Sequence, residues 1–471
     1  MKYIDLFAGC GGLSLGLEKA GFNLALAVEK SEMAAETFYH NFVERITCID
    51  SWKSFASQQT SIEKQAEKRL IVKELSAVLD CKQLLDSLQS QNIDLIAGGP
   101  PCQGFSLAGR RNPSDIRNQL PWQFLEFVEA VKPKAVIIEN VSGMGQHFLK
   151  HGVSSPFRDL TLALRETGAG YTVQPLLLNA KHFGAPQNRP RLVIIGVRID
   201  VAARMQLHIS DDIWKSDYDF IETSKFDRRP SLAPIAFHED KDILTVKDAI
   251  FDLNDTGYGR RNYVSDFALE MRQVFDWMPL PMRNAAFNTK PPNHTLRKHA
   301  PHIQTRFRLY QYLRDQHIHP KILSIPKDNS LTTAGQRTAL SNQLKKAKIP
   351  AKSADKTVIA NTIEELIELV MTLATKKHSQ RPLDWSAPSP TVVSLPDDYV
   401  HPQKPRTLTV RELARFQSFP DVFEFRAKET TGSLRRRFEV PQYTQVGNAV
   451  PPRLAYSIGK LVRSILTYEN D

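Results

Sequence analysis

Within the first two hundred residues, short apolar runs of strand type alternate with amphipathic segments of helical period. This alternation constrains the fold more than any other feature of the chain. The strand-type runs lie at 3–7, 24–28, 45–49, 93–97, 135–138, 172–178 and 192–197, and segments 13–20, 31–42 and 124–131 between them carry apolar residues at helical spacing. A strand that feeds a helix returns most readily to a parallel neighbour. The pattern therefore predicts an α/β architecture, a doubly wound and mostly parallel sheet. Ligands of such a sheet bind beyond the carboxyl ends of its strands. Asp5, Glu29, Asp50, Pro100 and Glu139 fall at or just after those ends and are expected to share one cleft.

Segment 51–92 interrupts the alternation; Ile71, Leu75 and Val78 sit at i, i+4 and i+7 among charges, which reads as a surface helix inserted between two strands. From about 200 to 385 the chain turns Pro-rich, Asn-rich and basic, and after about 440 a regular apolar pattern returns at 454–466. The expected division is 1–200 as the first domain, with 51–92 inserted; 201–435 as a second; and 436–471 as a tail returning to the first. No apolar run reaches the ~18 residues that span a bilayer, and the opening MKYIDLFAGCGG leaves no room for a signal peptide. The four cysteines Cys10, Cys48, Cys81 and Cys102 show no C-x-x-C spacing, which argues against a zinc site or disulfide framework and for a reducing, cytoplasmic setting. A formal charge of +11 points to a polyanionic partner, with basic clusters at 110–111, 228–229, 260–261, 345–346, 376–377 and 435–437.

Residues 98–106, GGPPCQGFS, end a strand with two glycines and two prolines and then present one thiol. A structural cysteine prefers an apolar interior, whereas Cys102 sits where the backbone is bent and stiffened, as a nucleophile would. The run AVIIENV at 135–141 is a buried strand that ends in Glu139, a costly carboxylate unless partnered or used. In QNRPR at 187–191, alternation places Arg189 and Arg191 on one face, aimed at one site. At the front, DLFAGCGGLSLGLEKAGF runs from strand through a Gly-rich turn into a helix, the arrangement that cradles a nucleotide-like cofactor. The dinucleotide spacing G-x-G-x-x-G is broken at Ser14. Glu29, about 20 residues on, is placed to bind ribose hydroxyls. An adenosine without a pyrophosphate fits this turn, as in S-adenosylmethionine, whose carboxylate would meet the helix N-terminus while Phe7 stacks on adenine.

Read in order, DLFAGCGG, GGPPCQGFS, IENV, FGAPQNRPRLVIIG, LTVRELARFQSFPD and QVGNAVPP resemble the DNA (cytosine-5)-methyltransferases over nearly the whole chain apart from 51–92 and about 200–380. The resemblance implies a class I S-adenosylmethionine-dependent methyltransferase fold with a smaller target recognition domain, a flipped-out cytosine in a specific duplex DNA sequence as substrate, and no metal. It implies Cys102 as the nucleophile on C6, Glu139 at N3, Arg191 at O2 and Arg189 positioning its neighbours. For the cofactor it suggests Phe7, Gly9, Gly12, Glu29, Asp50, Pro101, Leu120, Asn448 and Val450; Asp80 has the more usual spacing, but Asp50 is preferred as the residue that ends a strand. For DNA it suggests Ser106, Arg110, Arg111 and Arg117, within a closing element at 106–120, and Thr391. Other readings are a transfer RNA methyltransferase, disfavoured by the long variable region; an inactive DNA-binding relative, disfavoured by the four catalytic residues; and an NAD-dependent oxidoreductase, which explains neither Cys102 nor the arginines. The expected setting is a monomeric prokaryotic modification enzyme, paired with a restriction endonuclease that acts on the same site.

Overall fold

The computed structural model describes residues 1–101, 119–145, 155–216, 229–237, 242–259, 263–285, 290–323, 333–375, 377, 379–432, 435 and 438–468. The first half alternates as β1 (Lys2–Leu6), α1 (Gly12–Lys19), β2 (Asn23–Val28), α2 (Glu32–Phe42), α3 (Ile49–Ala56), α4 (Ile62–Glu67), β3 (Leu70–Ile71), α5 (Leu75–Leu79), α6 (Lys82–Ser90) and β4 (Leu95–Gly98). It continues with α7 (Leu120–Val131), β5 (Ala135–Val141), α8 (Pro156–Glu166), β6 (Tyr171–Asn179), β7 (Gln187–Asn188), β8 (Pro190–Arg198) and β9 (Trp214–Lys215). Among the described residues, eight of these strands form one sheet in the order β3-β2-β1-β4-β5-β8-β6-β9. Its pairs are parallel except where β8 runs against β5 and β6. This is the doubly wound, mostly parallel sheet that the strand–helix alternation predicts, with one strand reversed.

Strand alternation divides the core in two. Tyr3, Leu24, Leu95, Ile137 and Ile195 face one apolar cluster, while Ile4, Leu26, Ile96, Ile138 and Ile194 face the other. Helices α1 and α2 cover the first face with Leu13, Leu17, Phe38 and Phe42; α7 and α8 cover the second with Phe124, Phe127, Val128 and Leu160. In α7 the buried Phe124, Phe127, Val128 and Val131 follow i, i+3, i+4, i+7, so one stripe of the helix meets the sheet. The last helix, Pro452–Leu466, lies so close to α1 that a Cβ on Gly16 would overlap Ala455 and the Pro452 carbonyl.

Three expectations need correction. Residues 45–49 are not a strand: Asp50 stands, exposed, in the first turn of α3, where a carboxylate favours the positive end of the helix dipole. The edge beside β2 belongs to Leu70–Ile71 instead, so 51–92 supplies a strand of the sheet as well as helices: Ile71 lies on that strand, while Leu75 and Val78 lie on α5 as expected. The core also does not divide at 201. Leu232, Val246, Ile250, Phe267, Met271, Met282 and the run from Leu408 to Phe425 join the cluster of the first sheet face. A separate cluster is confined to Phe307, Tyr310, Leu313, Leu366, Val370 and their neighbours, around the helices Pro301–Asp315 and Ile363–Thr372.

Candidate active site

Reversal of β8 builds the site. Because β8 is antiparallel to β5, its first residues lie at the sheet edge where β1, β4 and β5 end, with Arg191 opposite Val141 and Val193 opposite Glu139. Glu139 and Arg191 are therefore diagonal neighbours on one face, and Arg191 Nε meets Glu139 Oε1 at 2.8 Å. Both side chains are about nine-tenths buried. Burial pushes the Glu139 carboxyl up, against the opposing charges of Arg191 and Arg189. A buried carboxyl so placed is suited to keep or donate a proton beside a fixed cation.

The end of β4 explains its glycines. A Cβ on Gly98 would overlap the Leu6 carbonyl oxygen of the neighbouring strand, and one on Gly99 would stand 3.1 Å from Glu139 Oε2. Asn140 Nδ2 donates to the Pro100 carbonyl at 2.9 Å and holds the turn against the end of β5. The chain thus passes Glu139 at van der Waals range and reaches Pro101, which is exposed. Cys102 follows and lies outside the described residues, as do Ser106, Arg110, Arg111 and Arg117.

Arg189 does not share the contacts of Arg191. Its guanidinium donates to the backbone carbonyls of Val392 (3.1 Å), Gly447 (2.8 Å) and Ala449 (3.0 Å), fully buried, with Nε unpartnered among the described residues. The expectation that both arginines aim at one site gives way to a division: Arg191 grips Glu139, whereas Arg189 staples the strand start to two distant segments. Thr391 lies beside this staple, its hydroxyl donating to the Asn188 carbonyl at 2.8 Å, in a segment where Ser389–Pro390 pairs in parallel with Gln187–Asn188.

The cofactor candidates gather at the ends of β1 and β2. Phe7 leaves β1 with a φ of 59°, an uncommon conformation for a bulky residue, and turns the chain into the glycines. Glu29 accepts from the amides of Gly9 (2.8 Å) and Ser31 (2.6 Å), so its carboxylate clamps the turn; burial pushes that carboxyl up. Gly9 has a φ of 56° and nothing within 4 Å of where a Cβ would stand, an open cradle that a side chain would fill. Gly12 packs against the Val450 carbonyl, so the segment with exposed Asn448 and buried Val450 returns to the turn. Leu120, half-buried, opens α7. This arrangement fits a group with an adenosine and an amino-acid moiety. Asp50 on α3 and Asp80, which closes α5, end no strand; the residue beside Glu29 across the sheet is Ile71, whose carbonyl accepts from Glu29 N at 3.0 Å.

Several supports were not singled out from sequence. Buried Gln187 donates to Phe416 O and Gln417 Oε1 and accepts from Val392 N. In the segment LTVRELARFQSFPD, Arg415 is wholly buried between Asp421 (2.9 and 2.6 Å) and Asp252 (2.5 Å), and Glu412 accepts two bonds of 2.8 Å from Arg406. The signal was available: three charged residues, Arg411, Glu412 and Arg415, in one short apolar helix that buries all of them. Among the described residues no cluster of His, Cys, Asp and Glu could hold a metal, and no helix is long and apolar enough to cross a membrane.

A family model described as C-5 cytosine-specific DNA methylase matches residues 1–464. The Type II methyltransferase M.DdeI of Desulfomicrobium norvegicum is 28% identical over 98% of this chain and 88% of its own length. The Type II methyltransferase M.AgeI of Thalassovita gelatinovora is 29% identical over 98% and 99%. A crystal structure described as a prophage-encoded DNA modification methyltransferase (E. coli) superposes with a TM-score of 0.59 at 24% identity, covering 99% of this chain and 100% of that one, which shows a shared fold.

Proposed function

This chain belongs to the C-5 cytosine-specific DNA methylase family, and from that premise we propose that it methylates C5 of a cytosine flipped out of duplex DNA through a covalent bond between Cys102 and C6. Cytosine C5 is a poor nucleophile because its electrons belong to the aromatic ring. Addition of the Cys102 thiolate to C6 breaks that aromaticity and sends the electron pair toward N3 and O2. Glu139 supplies the proton at N3, and Arg191 stabilises the charge that develops at O2. S-adenosylmethionine, held by Phe7, Gly9, Gly12, Glu29, Asn448 and Val450, supplies the methyl group. With the methyl group on C5, a base takes the C5 proton, the C5–C6 double bond re-forms, the Cys102 sulfur leaves as its thiolate and N3 returns its proton to Glu139. Extrusion of the base costs a few kcal/mol, and side chains of the closing element at 106–120 would meet the phosphates.

The observation that carries this reading is the buried pair of Glu139 and Arg191, 2.8 Å apart, beside the glycine turn that leads to the thiol. Type II relatives further support a role as the modification partner of a restriction endonuclease, and the separate apolar cluster around 307–373 is the proposed centre of target recognition. Bisulfite sequencing of DNA from cells expressing the protein identifies the target. A duplex with 5-fluorocytosine at that site, incubated with S-adenosylmethionine, should then form an adduct that survives denaturation, because fluorine does not leave as a proton does. Failure of the wild type to form it, or its formation by Cys102→Ser, would refute the mechanism.

A further inference from the structure

A cavity of about 250 Å³ is lined by Arg297, Lys298, His299, Arg306, Lys377, Gln380 and Asp397 among others, none of them a residue of the catalytic edge. Four of these side chains are cations at neutral pH and one is an acid. Both oxygens of that acid are taken: Asp397 Oδ1 by Arg297 and Oδ2 by Lys377, each at 2.9 Å. Arg306 donates Nε to the Leu373 carbonyl at 2.9 Å, which fixes its guanidinium at the cavity wall. His299 accepts from Thr407 N at 3.3 Å, and burial together with the Arg297 charge pushes its imidazole down, so it adds no charge.

Two further observations point to a ligand. The 15-residue helix Pro301–Asp315 starts at the cavity with no side-chain cap at Ala300 and no acid in its first turn, so no carboxylate offsets the positive end of its dipole there; Pro301 has no N–H, and the amides of Ile303 and Gln304 bond to the Ala300 carbonyl. Gln380 is 4% exposed. Its Nε2 donates to the Asp397 carbonyl at 2.7 Å, which fixes the amide orientation and leaves Oε1 buried without a partner among the described residues. A cationic cup with one orphan acceptor suits a phosphate ester, whose oxygens meet the cations. A hydroxyl or a held water completes the acceptor.

We propose that this cavity binds the phosphate of a nucleotide, as part of a DNA strand or as a free monoester. The DNA source rests on the reading of the chain as a DNA methylase. Position favours it: Asp397 follows Pro390 by seven residues, and Pro390 pairs with Asn188 at the start of the Arg189–Arg191 strand. Seven residues reach at most about 25 Å, less than the ~34 Å of one duplex turn, so one duplex can meet both places.

The test uses the full chain, with Lys298→Gln/Arg306→Gln and the charge-conserving Lys298→Arg/Arg306→Lys. Thermal unfolding verifies that both fold. Binding of a duplex is followed against salt, and binding of thymidine 5′-monophosphate by chemical-shift perturbation. For a strand phosphate, the neutral variant loses about 2 from the salt slope. Between about 50 and 200 mM salt the wild type then weakens about 12-fold more than the variant, while the charge-conserving variant keeps the wild-type slope. For a monoester, the slope is unchanged and the mononucleotide binds the wild type but not the neutral variant. A neutral variant that matches the wild type in both assays overturns the cavity. A wild type with a flat salt dependence overturns the DNA reading, and the mononucleotide assay then decides the cavity by itself.

Discussion

Asp5→Asn tests the electrostatics beneath the cofactor turn. Asp5 is 1% exposed. Its Oδ2 accepts from Ser14 Oγ at 2.6 Å, and Oδ1 has no partner among the described residues. Burial pushes the carboxyl from 3.8 to about 7, over the opposing bond from Ser14 and with the charge of Glu29 adding to the rise. The folded state therefore holds this proton more tightly than the unfolded chain does. The stability it contributes is full below pH 3.8 and is lost as pH rises through about 7. Over the interval from about pH 5 to pH 8, linkage assigns Asp5 a loss of about 3 kcal/mol, most of the gap between the two values at 1.36 kcal/mol per unit. Asparagine keeps the shape and an acceptor for Ser14 but does not titrate. Urea unfolding, followed by tryptophan fluorescence at both pH values, should show the variant flatter than the wild type by about 3 kcal/mol. Glu18, which burial also raises to about 7, is present in both proteins and cancels in the comparison. Parallel pH profiles would refute the argument.

Other perturbations separate packing from binding. Gly98→Ala drives a methyl into the Leu6 carbonyl of a central strand and should cost about 3 kcal/mol in urea unfolding. Gly9→Ala meets nothing within 4 Å and should lose only about 1 kcal/mol to its left-handed backbone, while equilibrium binding of S-adenosylmethionine weakens tenfold or more; the reverse ranking would contradict the cradle. Asp421→Asn breaks the two-pronged contact to buried Arg415 and should lose about 3–5 kcal/mol, against which a loss under about 1 kcal/mol in the same assay would count.

What the sequence made legible was local. The runs at 95–97, within 93–97, and at 135–138 are apolar without interruption because both faces of those strands are covered, and their ends correctly located Gly98, Gly99 and Glu139 at one edge. Strand direction leaves no such trace: a run buried on both faces reads the same whichever way it points, so the reversal of β8 was silent. The misplacement of Asp50 came from Arg45-Ile46-Thr47-Cys48-Ile49, whose β-branched residues favour a strand that the fold does not use there. The true edge strand, Leu70–Ile71, is two residues long and too short to show alternation. Arg189 was misjudged because its partners are carbonyls more than 200 positions away, and a backbone acceptor carries no residue signature. The helices Val246–Ile250 and Asp266–Arg272 are only five and seven residues long, too brief for periodicity to reveal that they join the first core.

The staple made by Arg189 gives the order of the chain a consequence for its assembly. Its carbonyl partners at 447 and 449 lie 258 and 260 positions after it. Synthesis therefore delivers every strand of the large sheet, Arg189 and Arg191 included, long before the groups that lock the start of β8 in register. A product cut short before 447 keeps those strands but leaves Arg189 with one of its three carbonyl partners.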